Sequence, residues 1–345
     1  MTKTEYKNRK YTIEPYNPEW KKQFETEAES LHPIFQNEAI SIEHIGSTAV
    51  PRLAGKPTID ILVTVEKIEI ADELSKKIEG IGYKSLGDYI NKGSRLFVKE
   101  ANDTRLVNLH VFEAEHPHVK DMLDLRNYFR THPEIVEEYS NLKFELTKKY
   151  SNDYELYRKY KDEWMRKLMN KVKNHFKLRV MLGKLVSIEN EENWWRIELF
   201  EKNTRALLPP ELEIIAPPPK EDQNYNCFVY VLALQNDQRF LGNAGWKFTR
   251  NLGLVFDEMI SEDILEYRNI PKAGDMVLYR AHDGTISHVG LMENKKNVIS
   301  KWSWGPLLKH KIFDVPDHYG NEVEFYIIPE ETKNFVIAKY ISSGL

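Results

Sequence analysis

Residues 39 to 65 constrain this chain more tightly than any other stretch. Ala39 to Ile45 alternates like a half-buried strand, and Thr58 to Val65 reads as a second, largely apolar strand. Between them the first strand ends in Gly46-Ser47, a loop of small residues carrying Lys56 follows, and Asp60 opens the next strand. The layout suits phosphate chemistry. Glycine lets a backbone approach phosphates, serine binds them, and carboxylates on the following strand hold magnesium. Two such carboxylates would sit two residues apart and face the same way, but Thr58 stands where the first belongs.

At 345 residues the chain is longer than one hydrophobic core usually serves, so two domains are expected. With 41% hydrophobic and 30% charged residues it has the composition of a soluble globular protein. A net charge of -4 gives no global case for DNA, RNA or an anionic membrane as partner. The polar start Met-Thr-Lys-Thr-Glu-Tyr-Lys argues against a signal peptide, and no apolar run approaches the roughly 20 residues of a spanning helix. One cysteine excludes an internal disulfide, and the spacings of paired Cys and His ligands are missing. The expected location is the cytosol.

The expected fold class is α+β. Trp20, Phe24, Ala28 and Leu31 recur at helical spacing behind Asn17-Pro18. A helix is expected over 71–79, paired strands over 95–99 and 105–112 around an Asn102-Asp103 turn, a helical stretch over 123–149 broken at His132-Pro133, and a charged helix over 153–172. The runs Leu208-Pro-Pro-Glu and Ala216-Pro-Pro-Pro then mark a boundary. Domains are expected at 1–175 and 224–345, with 176–223 as linker. In the second, Asn224 to Leu234 reads as a helix, and strands are expected at 275–279, 288–292, 298–301 and 324–328.

From about Tyr11 to Met169 the chain resembles the GrpB family of the nucleotidyltransferase superfamily. The matches are Glu43-His-Ile-Gly-Ser-Thr-Ala-Val-Pro51, Gly55-Lys-Pro-Thr-Ile-Asp-Ile-Leu-Val63, Leu109-His-Val-Phe112 and Leu125-Arg-Asn-Tyr-Phe-Arg-Thr-His-Pro133, continued by Tyr139, Lys143 and Tyr160-Lys161. The resemblance implies a mixed sheet with helices and attack on an α-phosphate, with magnesium held by aspartates. Gly46 and Ser47 would cradle phosphates, and Asp60 would be the remaining metal ligand and catalytic carboxylate. Lys56, His110, Arg126, Arg130, Lys143 and Lys161 would surround a nucleotide or another phosphate-bearing small molecule, with His44 beside them. His110, preceded on its face by Asn108, stands where the superfamily has its third carboxylate; one carboxylate among several cations suits an anion better than a magnesium pair. GrpB-type domains also occur joined to dephospho-CoA kinase, which fits a nucleotide or coenzyme ligand, although no kinase P-loop is present here.

The single cysteine, Cys227, falls at the first turn of an apolar helix, where the helix dipole favours a thiolate, and His288 at a strand start is a candidate base. This order resembles the NlpC-type branch of the papain-like fold. It implies a small α+β domain in which Cys227 and His288 act as nucleophile and base of a cysteine hydrolase or acyltransferase, with Ser300 or Lys301 near the orienting position. A buried structural cysteine is the competing reading. Trp302, Ser303, Trp304, Gly305 and His310 would line a cleft or fill a core, and Trp194 and Trp195 are expected as packing. For the whole chain the alternatives are a two-activity enzyme and a nucleotide sensor or scaffold with a reduced metal site; peptidoglycan hydrolysis, a third, is weighed against by the polar start.

Overall fold

A computed structural model describes residues 11–88, 92–102, 104–186, 212–242, 252–281, 283–303 and 305–343. Asp103, Trp194, Trp195, the proline run over 208–211 and Trp304 lie outside the described residues. The chain forms two compact units, Met1–Asn174 and His175–Leu345.

The first unit is a mixed five-stranded sheet with helices. Helix α1 (Glu19–Phe35) starts where Asn17 Oδ1 accepts the Glu19 N–H at 3.0 Å. Its Trp20, Leu31 and Phe35 pack on β2 (Ile59–Val65) and β5 (Thr104–Glu113) through Ile59, Ile61, Val63, Leu109 and Val111. With β1 (Ala39–Ile45), β3 (Lys84–Ser85) and β4 (Ser94–Ala101), the sheet order is β1-β2-β5-β4-β3. Only β2 and β5 run parallel, and their register sets Asp60 opposite Asn108 and Leu62 opposite His110. The helix expected over 71–79 is two short ones, α2 (Glu69–Glu73) and α3 (Ser75–Gly80). Helices α4 (Pro117–Thr131) and α5 (Pro133–Lys149) divide at His132-Pro133, because proline removes a helical N–H and restrains the residue before it. Helix α6 (Tyr154–Val186) runs 33 residues, well past the expected stop.

The second unit holds a seven-stranded sheet, antiparallel throughout, in the order β6-β11-β10-β9-β8-β12-β7. These strands are β6 (Glu213–Ala216), β7 (Glu266–Tyr267), β8 (Met276–Arg280), β9 (Ile286–Met292), β10 (Asn297–Lys301), β11 (Leu307–Lys311) and β12 (Glu322–Ile327). Helix α7 is only Cys227–Val231, capped by Asn226, whose side chain accepts the Val229 N–H at 3.2 Å. The helix expected to reach Leu234 ends early, with Ala233 in the left-handed region at φ 53°. Helices α8 (Leu252–Ser261) and α9 (Thr332–Ser343) are the other longer helices among the unit's described residues beyond α6. The 176–223 stretch is more than a linker. Leu182 and Leu212 are core residues packed with Val277, Tyr279 and Trp302, and β6 pairs with β11.

Candidate functional site

In the first unit a cavity of about 250 Å³ lies over the N-terminal end of β2. Its walls are Ile13, Ser47, Gly55, Lys56, Thr58, Asp60, Arg105, Asn108, Tyr139, Lys143, Tyr154, Tyr157 and Lys161. Lys56, Arg105, Lys143 and Lys161 thus face a single carboxylate, Asp60. Such a balance attracts anions and leaves the carboxylate no acidic partner.

Asp60, Asn108 and His110 share one face of the sheet by the parallel register of β2 and β5. Asn108 Nδ2 donates to Asp60 Oδ1 at 2.8 Å, and His110 Nε2 lies 3.5 Å from the same oxygen. Arg105 Nη1 in turn donates to Asn108 Oδ1 at 3.0 Å, while its Nε is held by Glu100 at 2.8 Å. Beside His110, where the third carboxylate would be wanted, the amide of Asn108 stands fixed by a guanidinium. Thr58 turns its hydroxyl to the Arg105 carbonyl at 2.9 Å. Among the described residues no group of three or more His, Cys, Asp or Glu could hold a metal. One carboxylate with four cations does not fit the magnesium site that the GrpB resemblance implied.

Gly46 is outside the cavity wall. It takes φ 73°, and a Cβ there would come within 2.5 Å of Asp60 Oδ2, so its missing side chain makes room for the carboxylate rather than for a phosphate. Ser47 does face the cavity, and Lys143 Nζ lies 3.0 Å from its Oγ. Lys143 is 2% exposed, donates also to the Ala54 carbonyl and sits 4.2 Å from the Tyr139 ring centroid. Burial, with Lys161 nearby, lowers its pKa to about 7. Lys56 Nζ donates to Tyr154 OH at 2.6 Å.

Arg126 and Arg130, expected around the ligand, brace the end of β1 and the loop after it instead. Arg126 Nη1 binds Glu43 at 2.6 Å and the His44 carbonyl at 3.0 Å, and Arg130 Nη2 binds the Ala49 carbonyl at 2.9 Å. Neither lines the cavity; spaced one helical turn apart on α4, Arg126 reaches back to β1 and Arg130 to the chain that follows it. His44 stacks on Phe24, shares a 3.0 Å hydrogen bond with Thr48, and is lowered to about 4 by burial. Sequence reasoning missed Arg105, Tyr154 and Tyr157. Tyr154, Tyr157 and Lys161 stand at i, i+3 and i+7 of α6, a spacing that could have revealed one face.

In the second unit Cys227, His288 and Ser300 are all buried. Burial pushes the Cys227 thiol up to about 11, against the dipole effect invoked from sequence; a helix of five residues leaves desolvation dominant. Strand β9 begins at Ile286, so His288 lies inside it rather than at its start. Its Nε2 is 3.0 Å from Ser300 Oγ, which also meets His310 Nε2 at 2.7 Å and receives Trp302 Nε1–H at 3.1 Å. His310 Nδ1, 2.7 Å from the Lys311 carbonyl, carries the proton there, so its Nε2 accepts from the Ser300 hydroxyl and His288 Nε2 donates to Ser300. Among the described residues, His288 Nδ1 has no hydrogen-bond partner. Burial holds His310 at about 4 and His288 well below the ordinary histidine range. Lys301 donates to the Gly305 carbonyl and is lowered by burial to about 7. Trp302 and His310 belong to the core, each 1% exposed.

Comparison with known proteins bears on the first unit. Residues 10–171 match the family described as GrpB protein. UPF0157 protein YqkA of Bacillus subtilis is 35% identical over 188 residues, covering 54% of this chain and 54% of YqkA, so this chain spans about half that relative's length. UPF0157 protein BH1888 of Halalkalibacterium halodurans is 33% identical over 144 residues, 40% of this chain and 70% of BH1888. The crystal structure of conserved protein GrpB from Enterococcus faecalis shares 34% identity over 48% of this chain and 99% of its own, with a TM-score of 0.46. Through residues 10–171, the chain belongs to the GrpB family.

Proposed function

We propose that the first unit binds a small phosphate-bearing molecule, a nucleotide or coenzyme, in the cavity beside Asp60. The observation that carries this reading is the wall of Lys56, Arg105 and Lys161, with the desolvated Lys143 beside them, against one carboxylate, flanked by Tyr139, Tyr154 and Tyr157. Lys56, Arg105 and Lys161 supply the charge for phosphate. Binding without nucleotidyl transfer is the better fit, because the Arg105–Asn108–Asp60 chain spends on hydrogen bonds the face where two metal ions would need carboxylates.

Titration calorimetry with ATP, ADP and coenzyme A, in magnesium and again in EDTA, tests the reading. At least one should bind in EDTA and raise the melting temperature, and Lys56→Ala with Lys161→Ala should weaken it about tenfold or more. Failure of all three ligands to bind would sink the proposal. Magnesium-dependent pyrophosphate release that disappears in Asp60→Ala would establish transfer instead.

For the second unit a structural thiol is the better reading than a cysteine hydrolase of NlpC type. The unpartnered Nδ1 of His288 is what a base would present. Against it, Cys227 is buried in the apolar cluster of Phe228, Val229, Phe256 and Val289, with its thiol held protonated.

A further inference from the structure

Anion binding leaves one pairing unexplained. A buried lysine normally finds a carboxylate or threads its ammonium to water, yet among the described residues the contacts of Lys143 are the Ser47 hydroxyl, the Ala54 carbonyl and the Tyr139 ring, and the charge acting on it is the like charge of Lys161. Ser47 is meanwhile held from behind: a Cβ at Gly55 would come within 2.9 Å of the Ser47 Cβ. A fixed serine hydroxyl in a cavity wall, 3.0 Å from a desolvated amine, has the geometry of an activated nucleophile.

We propose that Ser47 and Lys143 form a nucleophile–base dyad that hydrolyses the acyl ester or thioester of a small phosphate-bearing molecule. The proposal rests on the anion-binding reading of this cavity and names the chemistry performed there. With its amine neutral, Lys143 donates to the Ala54 carbonyl and turns its lone pair to Ser47. As Ser47 Oγ bonds to the acyl carbon, its proton passes to Lys143 Nζ. The bond from acyl carbon to the leaving oxygen or sulfur breaks, and that atom takes the proton from Lys143. Water then attacks the acyl-serine, its proton passing through Lys143 to Ser47 Oγ, and the carboxylic acid is released. The reacting group must be an uncharged carbonyl. A phosphate dianion at Ser47 would keep Lys143 charged and remove the base, so phosphate belongs at Lys56, Arg105 and Lys161.

The full chain is treated with an alkyl fluorophosphonate across pH 6 to 9, and the adduct is located by peptide mapping. The expected result is one adduct at Ser47, forming faster as pH rises through about 7, the pH at which Lys143 loses its proton. Ser47→Ala abolishes it, and Lys143→Met and Lys143→Arg slow it by about a hundredfold or more, with melting curves confirming that the variants fold. The arginine variant keeps the charge but no longer accepts a proton. Absence of the adduct from the folded wild type, a rate flat between pH 6 and 8, or an unchanged rate in a folded Lys143 variant overturns the dyad. The wild type alone decides the first two, even where a variant fails to fold. Labelling without nucleotide binding would sink only the anion reading, and binding without labelling only the dyad.

Discussion

Two lysines buried to nearly the same degree, Lys143 at 2% exposure and Lys301 at 1%, sit in opposite circumstances. Each is lowered to about 7 by desolvation, each donates to a backbone carbonyl, and each lies near an aromatic ring. Lys143 lines a cavity and touches a serine that also lines it. Lys301 shares its surroundings with Cys227 and, one position along the strand, with a closed knot of Ser300, His288, His310 and Trp302. Desolvation alone therefore does not mark a functional group. What separates the two is whether a reactant can reach the atom whose pKa has moved.

Three measurements sharpen or break the contrast. The largest effect is expected at Cys227. Iodoacetamide should label it in the native protein at least about a hundredfold more slowly than a free thiol of pKa about 8.5, and at the free rate after denaturation. Rapid native labelling would place the second unit with the first as an accessible site. Next comes a comparison of serines. Ser300→Ala strands His288 Nε2, His310 Nε2 and Trp302 Nε1 in the interior and should cost about 3 kcal/mol or more in urea unfolding. Ser47→Ala, at a cavity wall, should cost under about 1 kcal/mol. Equal losses would erase the distinction.

The third measurement is a pH slope, small over any one pH unit. Both lysines are lowered from 10.5 to about 7 in the folded chain, so between those values the unfolded chain binds more protons. Stability then rises as pH increases from about 7 towards 10, by at most about 1.4 kcal/mol per pH unit for each lysine. Below about 7 this contribution is flat. Lys143→Met and Lys301→Met should each remove part of the rise; an unaltered slope in both would mean that neither amine is desolvated in solution.

The sequence disclosed the first unit far better than the second. Period-two alternation in 39–45 and the apolar run to Val65 located two strands, and the His132-Pro133 break divided α4 from α5, because these signals act through neighbours in the chain. Ser47, Lys56, Asp60, Lys143 and Lys161 were named from sequence and do converge on one cavity. Arg126 and Arg130 were named too, but a helical spacing does not reveal that their guanidiniums end on the His44 and Ala49 carbonyls at the end of β1 and just beyond it. Arg105 escaped because its tie to Asp60 runs through Asn108 across the sheet. In the second unit β6 and β11 escaped, since Glu213–Ala216 gains its strand character only from its partner. His310 was read as cleft or core and became the far end of the Ser300 relay, a contact between strands that no local pattern records.

One stacking contact gives the first unit its own optical gauge. The Trp164 indole lies face to face on Tyr139, with centroids 4.6 Å apart and planes 4° from parallel, and its N–H is fixed by Glu138 at 3.0 Å. Tyr139 presents its ring to the cavity and to the Lys143 amine. An occupant, or a change of charge on that amine, would act on that ring, so the emission of Trp164 is expected to shift with the state of the cavity without any attached dye.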